Sequence, residues 1–474
     1  ADIINASWGG YGYSQPLADA FADASDLLVV AAAGNDGSDN DLLPSYPASF
    51  DLPNILSVAS VHNQGHLSVF TNFGASSVDL SAPGEDILST LPTGSPAGSY
   101  GYGSGTSMAA ANASGVAALA ASAHPSMVGD GAALRQHLIR TARALPSTRW
   151  WVANPSMVDA RAAVVSTPDV RRLSGVDRYA TSAAISAASF VPQVPYLFVA
   201  TGDNFPDALA GGALAAQLGV PLLLVKRTSI PSVVMAEIQR LDPLHIFVLG
   251  GTGAVANGVL SLLAPHDDPS SGGPFRLAGV DRYDTAAVIS DAGFEDGWGG
   301  TVFIANGGNF PDALAGGAAS AVVGGPVLLT RSTSLPAPTT SELSRLQPSR
   351  IVILGGTGVV SSAVANELKG YAAGGNVVRW SGADRYATSA ATSLNAFPTA
   401  GSVFLAAGTT FPDALSGDPS AGAFSAPLLL TARTTLPGAA RTELQRLEPV
   451  RVFVLGGIAA VAESVANEVK ALFP

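Results

Sequence analysis

Short apolar runs alternate with longer alanine-rich stretches along this chain. Leu27–Ala32, Tyr196–Ala200 and Pro221–Val225 are of strand length and carry no polar interruption. A strand covered on both faces reads this way, whereas one with a wet face alternates. Ser107–Ala123, Gly131–Ala144 and Ser232–Leu241 are long enough for helices. In residues 1–165 the pattern predicts strands at Ile3–Ser7, Leu27–Ala32, Ile55–Ala59 and Val78–Ser81, with helices near Pro16–Ala24, Ser107–Ala123 and Gly131–Ala144. Alternation of strand and helix predicts an α/β fold with a parallel sheet covered by helices.

After residue 170 the pattern repeats itself about every hundred residues, the size of a small domain rather than a solenoid unit. Leu173-Ser174-Gly175-Val176-Asp177-Arg178-Tyr179 returns at Leu277–Tyr283 and at Trp380–Tyr386. Phe205-Pro206-Asp207 returns as Phe310-Pro311-Asp312 and Phe411-Pro412-Asp413. Pro221-Leu222-Leu223-Leu224 and Leu249-Gly250-Gly251 also recur in order. Within each copy a strand is followed by a proline-opened helix, a second strand, a second helix and a third strand. Proline suits a first helical turn, and the aspartate after it suits the helix dipole. The domains are therefore read as 1–165, 171–266, 275–372 and 377–474, with Ser166–Val170 a linker and Asp267–Pro274 separating the first two copies. In the third copy Thr410 replaces asparagine and Asp418-Pro419 follows Gly417, so its loop is expected to differ. Gly-Gly-Thr-Gly after Leu249 lacks a phosphate-loop lysine and reads as a strand-ending turn.

Composition narrows the classes of function. Of the net charge of −12, −9 falls in residues 1–169, which disfavours a nucleic-acid partner there. No apolar run approaches a membrane span. With no cysteine there are no disulfides or thiolate metal sites. No residue pattern calls for a metal or a cofactor. The start of the chain shows no secretory leader.

The chemistry concentrates in the front segment. Ser107 opens the alanine-rich helix, where orphan N–H groups and the helix dipole favour developing negative charge. Alone, such a serine is usually a cap. Gly105-Thr106-Ser107-Met108-Ala109, however, resembles the nucleophile motif of subtilisin-like serine peptidases, although Ala111 and Asn112 replace that family's proline and histidine. Ala32-Ala33-Gly34-Asn35 resembles the family's oxyanion loop, and Asn5-Ala6-Ser7-Trp8-Gly9-Gly10 its substrate-pairing strand. Tyr46-Pro47-Ala48 and Leu80-Ser81-Ala82-Pro83-Gly84 match further landmarks in order. The resemblance covers about residues 1–165 and implies a partial doubly wound sheet. It implies proteolysis by acyl transfer, with Ser107 as nucleophile, Asn35 in the oxyanion hole, and Ser7, Trp8, Gly9 and Gly34 contacting a protein or peptide substrate.

That family places its aspartate and histidine upstream of the asparagine. The six histidines here, His62, His66, His124, His137, His245 and His266, stand in no such segment. The chain is thus expected to be the C-terminal part of a longer precursor and inactive alone. A non-catalytic scaffold is the alternative. The later copies resemble the cell-wall-binding repeats, of the second type, carried in threes by surface proteins of Gram-positive bacteria. That implies a secreted, wall-located protein holding an anionic wall polymer. Arg178, Arg282 and Arg385 become candidate contacts, because a guanidinium offers forked donors to phosphate or carboxylate. The same Asp-Arg-Tyr turn could equally be a joint that holds a helix start.

Overall fold

The computed structural model describes residues 2–92, 98–309 and 311–473. Phe310, in the second Phe-Pro-Asp motif, lies outside them. The chain divides into two compact units, Ala1–Ser166 and Thr167–Pro474.

The front unit holds β1 (Ile3–Ala6), α1 (Gln15–Asp23), β2 (Leu28–Ala32), β3 (Ile55–Val61), β4 (Leu80–Pro83), an antiparallel hairpin β5 (Ile87–Thr90) and β6 (Tyr100–Gly103), α2 (Thr106–Ala123), α3 (Gly131–Thr141), β7 (Arg143–Ala144), β8 (Ser156–Met157) and α4 (Ala160–Val164). Its sheet runs β1-β2-β3-β4-β8-β7, parallel except for β7. Neighbouring residues of β2 face opposite sides. Leu28, Val30 and Ala32 pack with Leu56, Val58 and Leu80 under α2 and α3. Val29 and Ala31 pack with Ala18, Phe21 and Phe50 on the α1 side. Helices on both faces explain why β2 has no polar alternation, and the sheet is doubly wound.

The second unit contains β9 (Asp169–Leu173), α5 (Arg178–Ser189), β10 (Tyr196–Thr201), α6 (Pro206–Leu218), β11 (Leu222–Val225), α7 (Ser232–Leu241), β12 (His245–Leu249), α8 (Asn257–Leu263), β13 (Phe275–Leu277) and α9 (Arg282–Gly293). It continues with β14 (Thr301–Asn306), α10 (Gly316–Val323), β15 (Val327–Thr330), α11 (Ala337–Leu346), β16 (Arg350–Leu354), α12 (Ser362–Leu368), β17 (Val377–Trp380) and α13 (Arg385–Ala396). It ends with β18 (Ser402–Ala407), α14 (Pro412–Ala423), β19 (Leu428–Thr431), α15 (Gly438–Leu447), β20 (Arg451–Leu455) and α16 (Glu463–Lys470).

Its sheets do not break where the sequence repeats do. Their orders are β11-β10-β12-β13, β15-β14-β16-β17 and β19-β18-β20-β9, all parallel. Each sheet therefore takes its last strand from the residues that open the next sequence copy. The last sheet is closed by β9, the first strand of the unit, with Arg451 opposite Asp169 and Leu455 opposite Leu173. The three copies form a closed chain of mutual support. At their common core α6, α10 and α14 pack on one another.

The recurring motifs are mostly explained by helix starts. Asp177, Asp281 and Asp384 are N-caps, accepting from backbone N–H groups of α5, α9 and α13 at 2.8–3.0 Å. Thr181, Thr285 and Thr388 accept from the N–H of Gly175, Gly279 and Gly382. The Leu-Gly-Gly motif and the Phe-Pro-Asp motif meet in space. Gly250 has φ +87°, and a Cβ there would lie 2.1 Å from the Asp207 carboxylate. Gly355 with Asp312 and Gly456 with Asp413 repeat the arrangement. Only glycine accepts that backbone and leaves room for the acid. Buried Glu237, Glu342 and Glu443 recur likewise, paired with Arg240, Arg345 and Arg446.

Candidate functional site

Ser107 is the second residue of α2, after the N-cap Gly105 and Thr106. Its N–H belongs to the first turn, which has no intrahelical acceptor. Its hydroxyl donates to the Ser7 carbonyl at 3.1 Å, and the Ser7 hydroxyl donates to the Ser107 carbonyl at 2.8 Å. This reciprocal pair joins the helix start to the end of β1 across a hundred residues of sequence. Beyond Ser7 the chain emerges at the surface: Trp8 is 52% exposed and Gly9 is exposed as well.

Asn35 follows β2 in a loop beside the same helix start. Its Oδ1 accepts from the Thr106 N–H at 2.8 Å and from the Thr106 hydroxyl at 3.0 Å. Among the described residues Nδ2, with two N–H donors, has no partner and is the end open to a ligand. Gly34 has φ +120° and its carbonyl accepts from Thr106 and from the Asn72 N–H. Sequence reasoning missed what shapes this loop. Buried Asn72 accepts from the N–H groups of Asp36 and Ser38 and donates to buried Asn40, which donates in turn to the Ala33 carbonyl. The available signal was a polar residue, Asn72, set between Phe70 and Phe73.

The histidines lie elsewhere. His124 and His137 both approach the Ala163 carbonyl, at 3.1 and 2.8 Å, with ring centroids 4.8 Å apart. Burial lowers the His137 pKa, and His124 and Arg140 add to the effect. His62 and His66 sit at the end of β3, their rings 5.7 Å apart. Among the described residues neither an imidazole nor a carboxylate hydrogen-bonds to the Ser107 hydroxyl. No group of three His, Asp or Glu there could hold a metal, and no helix of the described residues is long and apolar enough to cross a membrane.

In the second unit the candidate arginines line the seams between copies. Arg178, Arg282 and Arg385 each donate to one glycine carbonyl, Gly202, Gly307 or Gly408, at 2.5–2.6 Å. Each then faces the preceding copy in the cycle. The Arg178 guanidinium lies over Phe411 and that of Arg282 over Phe205, both 5.9 Å from the ring centre. Burial pushes the carboxyls of Asp207 and Asp413 up, partly offset by Arg282 and Arg178. At Asp312 burial does the same, offset by Thr388 and Arg385. The remaining guanidinium N–H groups have no protein partner among the described residues. The arginines thus serve the joint and still offer donors to an anion. A second set, Arg172, Arg276 and Arg379, was not singled out from sequence. Its members donate to the carbonyls of Gly456 and Val461, Gly250 and Val255, and Gly355 and Val360. They pin the glycine loop that follows the adjacent strand of the same sheet and are structural.

Known families match both units. Residues 1–169 match the subtilase family, and residues 172–260, 276–365 and 379–466 match cell wall binding domain 2. This chain is a subtilase-family domain followed by three cell-wall-binding repeats. N-acetylmuramoyl-L-alanine amidase LytC of Bacillus subtilis is 29% identical over 301 residues, covering 64% of this chain and 58% of the amidase. Subtilisin-like protease 2 of Plasmodium falciparum is 37% identical over 175 residues, covering 35% of this chain and 13% of that protein. The chain therefore spans less than two thirds of the curated relatives it matches. Among solved structures, Cwp8 from Clostridium difficile superposes with a TM-score of 0.57 and 26% identity, over 65% of this chain and 52% of that one. The wall-binding repeats associate the chain with the cell wall, and the subtilase domain carries the serine-peptidase architecture.

Proposed function

We propose that this chain is part of a secreted, wall-attached subtilisin-like endopeptidase of a Gram-positive bacterium, acting by serine acyl transfer. The Ser107 oxygen attacks a peptide carbonyl, an acyl ester forms, and the C–N bond breaks with a proton passing to the departing amine. The Asn35 amide and the Ser107 N–H hold the oxyanion. Ser7, Trp8 and Gly9 pair with an extended protein or peptide substrate, and Gly34 shapes the facing wall. The observation that carries this reading is the tethering of Asn35 Oδ1 to Thr106, which leaves its amide free beside Ser107.

The step needs a base, and the described residues place none at Ser107. Residues 1–474 alone should therefore hydrolyse a peptide no faster than Ser107→Ala does. Loss of the base costs about a millionfold in kcat in subtilisin, an established value for that enzyme. Rapid fluorophosphonate labelling of Ser107 together with measurable turnover would overturn this expectation. The donation of the Ser107 hydroxyl to Ser7 favours a second reading, a wall-binding surface protein whose peptidase domain is only a scaffold. Addition of a subtilase segment bearing the missing aspartate and histidine separates the two: recovery of activity in wild type but not in Ser107→Ala supports the enzyme.

For the wall we infer an anionic polymer held at the three seams by Arg178, Arg282 and Arg385, acting together through effective concentration. Sedimentation with purified walls should weaken stepwise with each Arg→Ala change, weaken with salt, and vanish in the triple variant or on acid-stripped walls. Undiminished binding by the triple variant would make these arginines joints only.

A further inference from the structure

Several residues of the third copy differ from those of the others inside the common helical core, and one of them is acidic. Asp418 stands where the first copy has Gly212 and the second has Gly317. The three helices approach closely there: a Cβ on Gly422 would lie 2.6 Å from that of Ala216 and 2.8 Å from that of Ala321. Asp418 is 1% exposed. Its Oδ1 accepts from the Ala318 N–H at 2.8 Å, and the carboxyl also accepts from Gly317. Both amides lie in the first turn of α10, where intrahelical acceptors are lacking.

Those donors exist because α10 starts late. α6 and α14 begin at Pro206 and Pro412, but α10 begins at Gly316 rather than at the matching Pro311. In α6 the aligned amides, those of Gly212 and Ala213, are mid-helix. The Asp-Pro pair of the third copy was expected to alter its own loop. Instead α14 runs unbroken through Pro419, and the altered helix start is in the second copy. The late start lies on the segment that carries Asp312, which faces Arg385 at the seam between these copies.

We propose that Asp418 is a proton-dependent clasp between the third and second copies, a neutral carboxyl that caps α10 and loosens the joint when it ionises. Both amides point at the Oδ1 side, and among the described residues Oδ2 rests against Gly317 with no hydrogen-bond partner. Among the described residues no charged side chain acts on the group. α10 presents Gly317 and Ala318, α6 presents Ala213, and Asp207 and Asp413 stand in the first turns of their helices. Burial outweighs the two N–H donors and pushes the carboxyl up to about 8. A carboxyl whose pKa is raised by folding stabilises the closed state fully below its unfolded value. That stability is lost as pH rises toward the folded value and is constant beyond it.

The test is hydrogen exchange of the 311–323 segment in the full chain between pH 5 and 9, corrected for intrinsic exchange, in wild type, Asp418→Asn and Asp418→Gly. Wild type relative to Asp418→Asn should open more readily with pH, by up to about tenfold per unit to pH 8, and then level. Asp418→Gly, which restores the residue of the other copies, should lose protection at Gly317 and Ala318 at every pH and show no such slope. An equal slope in wild type and Asp418→Asn, or full protection in Asp418→Gly, would overturn the proposal.

Discussion

The front unit shapes its candidate site with polar contacts made once, whereas the repeat unit makes several of its framing contacts three times. Asn72 and Asn40 appear once, behind the loop of Asn35, and Arg135 pairs once with buried Asp79. In the repeat unit the aspartate N-cap, the glycine against an aspartate carboxylate, and the pairing of a buried glutamate with an arginine recur in three surroundings. Recurrence is diagnostic. A residue that makes the same backbone contact in every copy is part of the frame, so Asp177, Gly250 and Arg276 need no ligand to explain them. A residue used once, such as Ser107, must be judged from its own geometry. The exceptions inside the repeats are then the informative positions, and Asp418 is the foremost.

The largest expected effect tests the frame. Glu443 is 5% exposed and binds both Arg446 and the Ser393 hydroxyl. Glu443→Ala removes the acceptor of the buried Ser393 hydroxyl and of Arg446, which keeps the Phe397 and Pro398 carbonyls, and should cost about 1.5–3 kcal/mol for each group in the urea transition of the repeat unit. A loss near zero would mean that the recurring pairs are dispensable. Gly250→Ala adds a Cβ against Asp207 at a positive φ and should cost about 1–3 kcal/mol by the same measurement. In the front unit Asn72→Ala removes the acceptor of two loop N–H groups, at about 1–3 kcal/mol for each donor left buried. Its melting transition should fall while that of the repeats stays in place.

The smallest effect contrasts the two units by pH. The folded His137 pKa is depressed, so the front unit is most stable above the unfolded value near 6.5 and loses stability as pH falls below it. The slope is at most about 1.4 kcal/mol per pH unit. His137→Gln should flatten it. The clasp at Asp418 slopes the other way. Calorimetry at pH 5.5 and 8 should therefore move the two transitions in opposite directions, and parallel movement would erase the contrast.

Much of this was legible in the sequence. Buried strands such as Leu28–Ala32 and Tyr196–Thr201 announce themselves by unbroken apolarity, and Pro206 and Pro412 mark helix starts through chemistry local to the chain. The Ser107 and Asn35 segments were recognisable because they resemble the nucleophile and oxyanion motifs of subtilisin-like peptidases. Strands β9, β13 and β17 were not recognised, being short and half-polar. Nor was their assignment to a neighbouring copy's sheet, because strand pairing joins residues as distant as Leu173 and Leu455. The buried pairing of Asn72 with Asn40 and the division of the Arg178 guanidinium between joint and open donors depend on distance in space. The sequence by itself determined the element types and the order of the domains, because those follow from backbone propensity, local caps and recurring motifs, and it marked the candidate nucleophile by its family motif. Only the tertiary structure decided which strand closes which sheet, where the Ser107 proton goes and that Asp418 meets a helix start in another copy, because each rests on contacts between residues far apart in the chain.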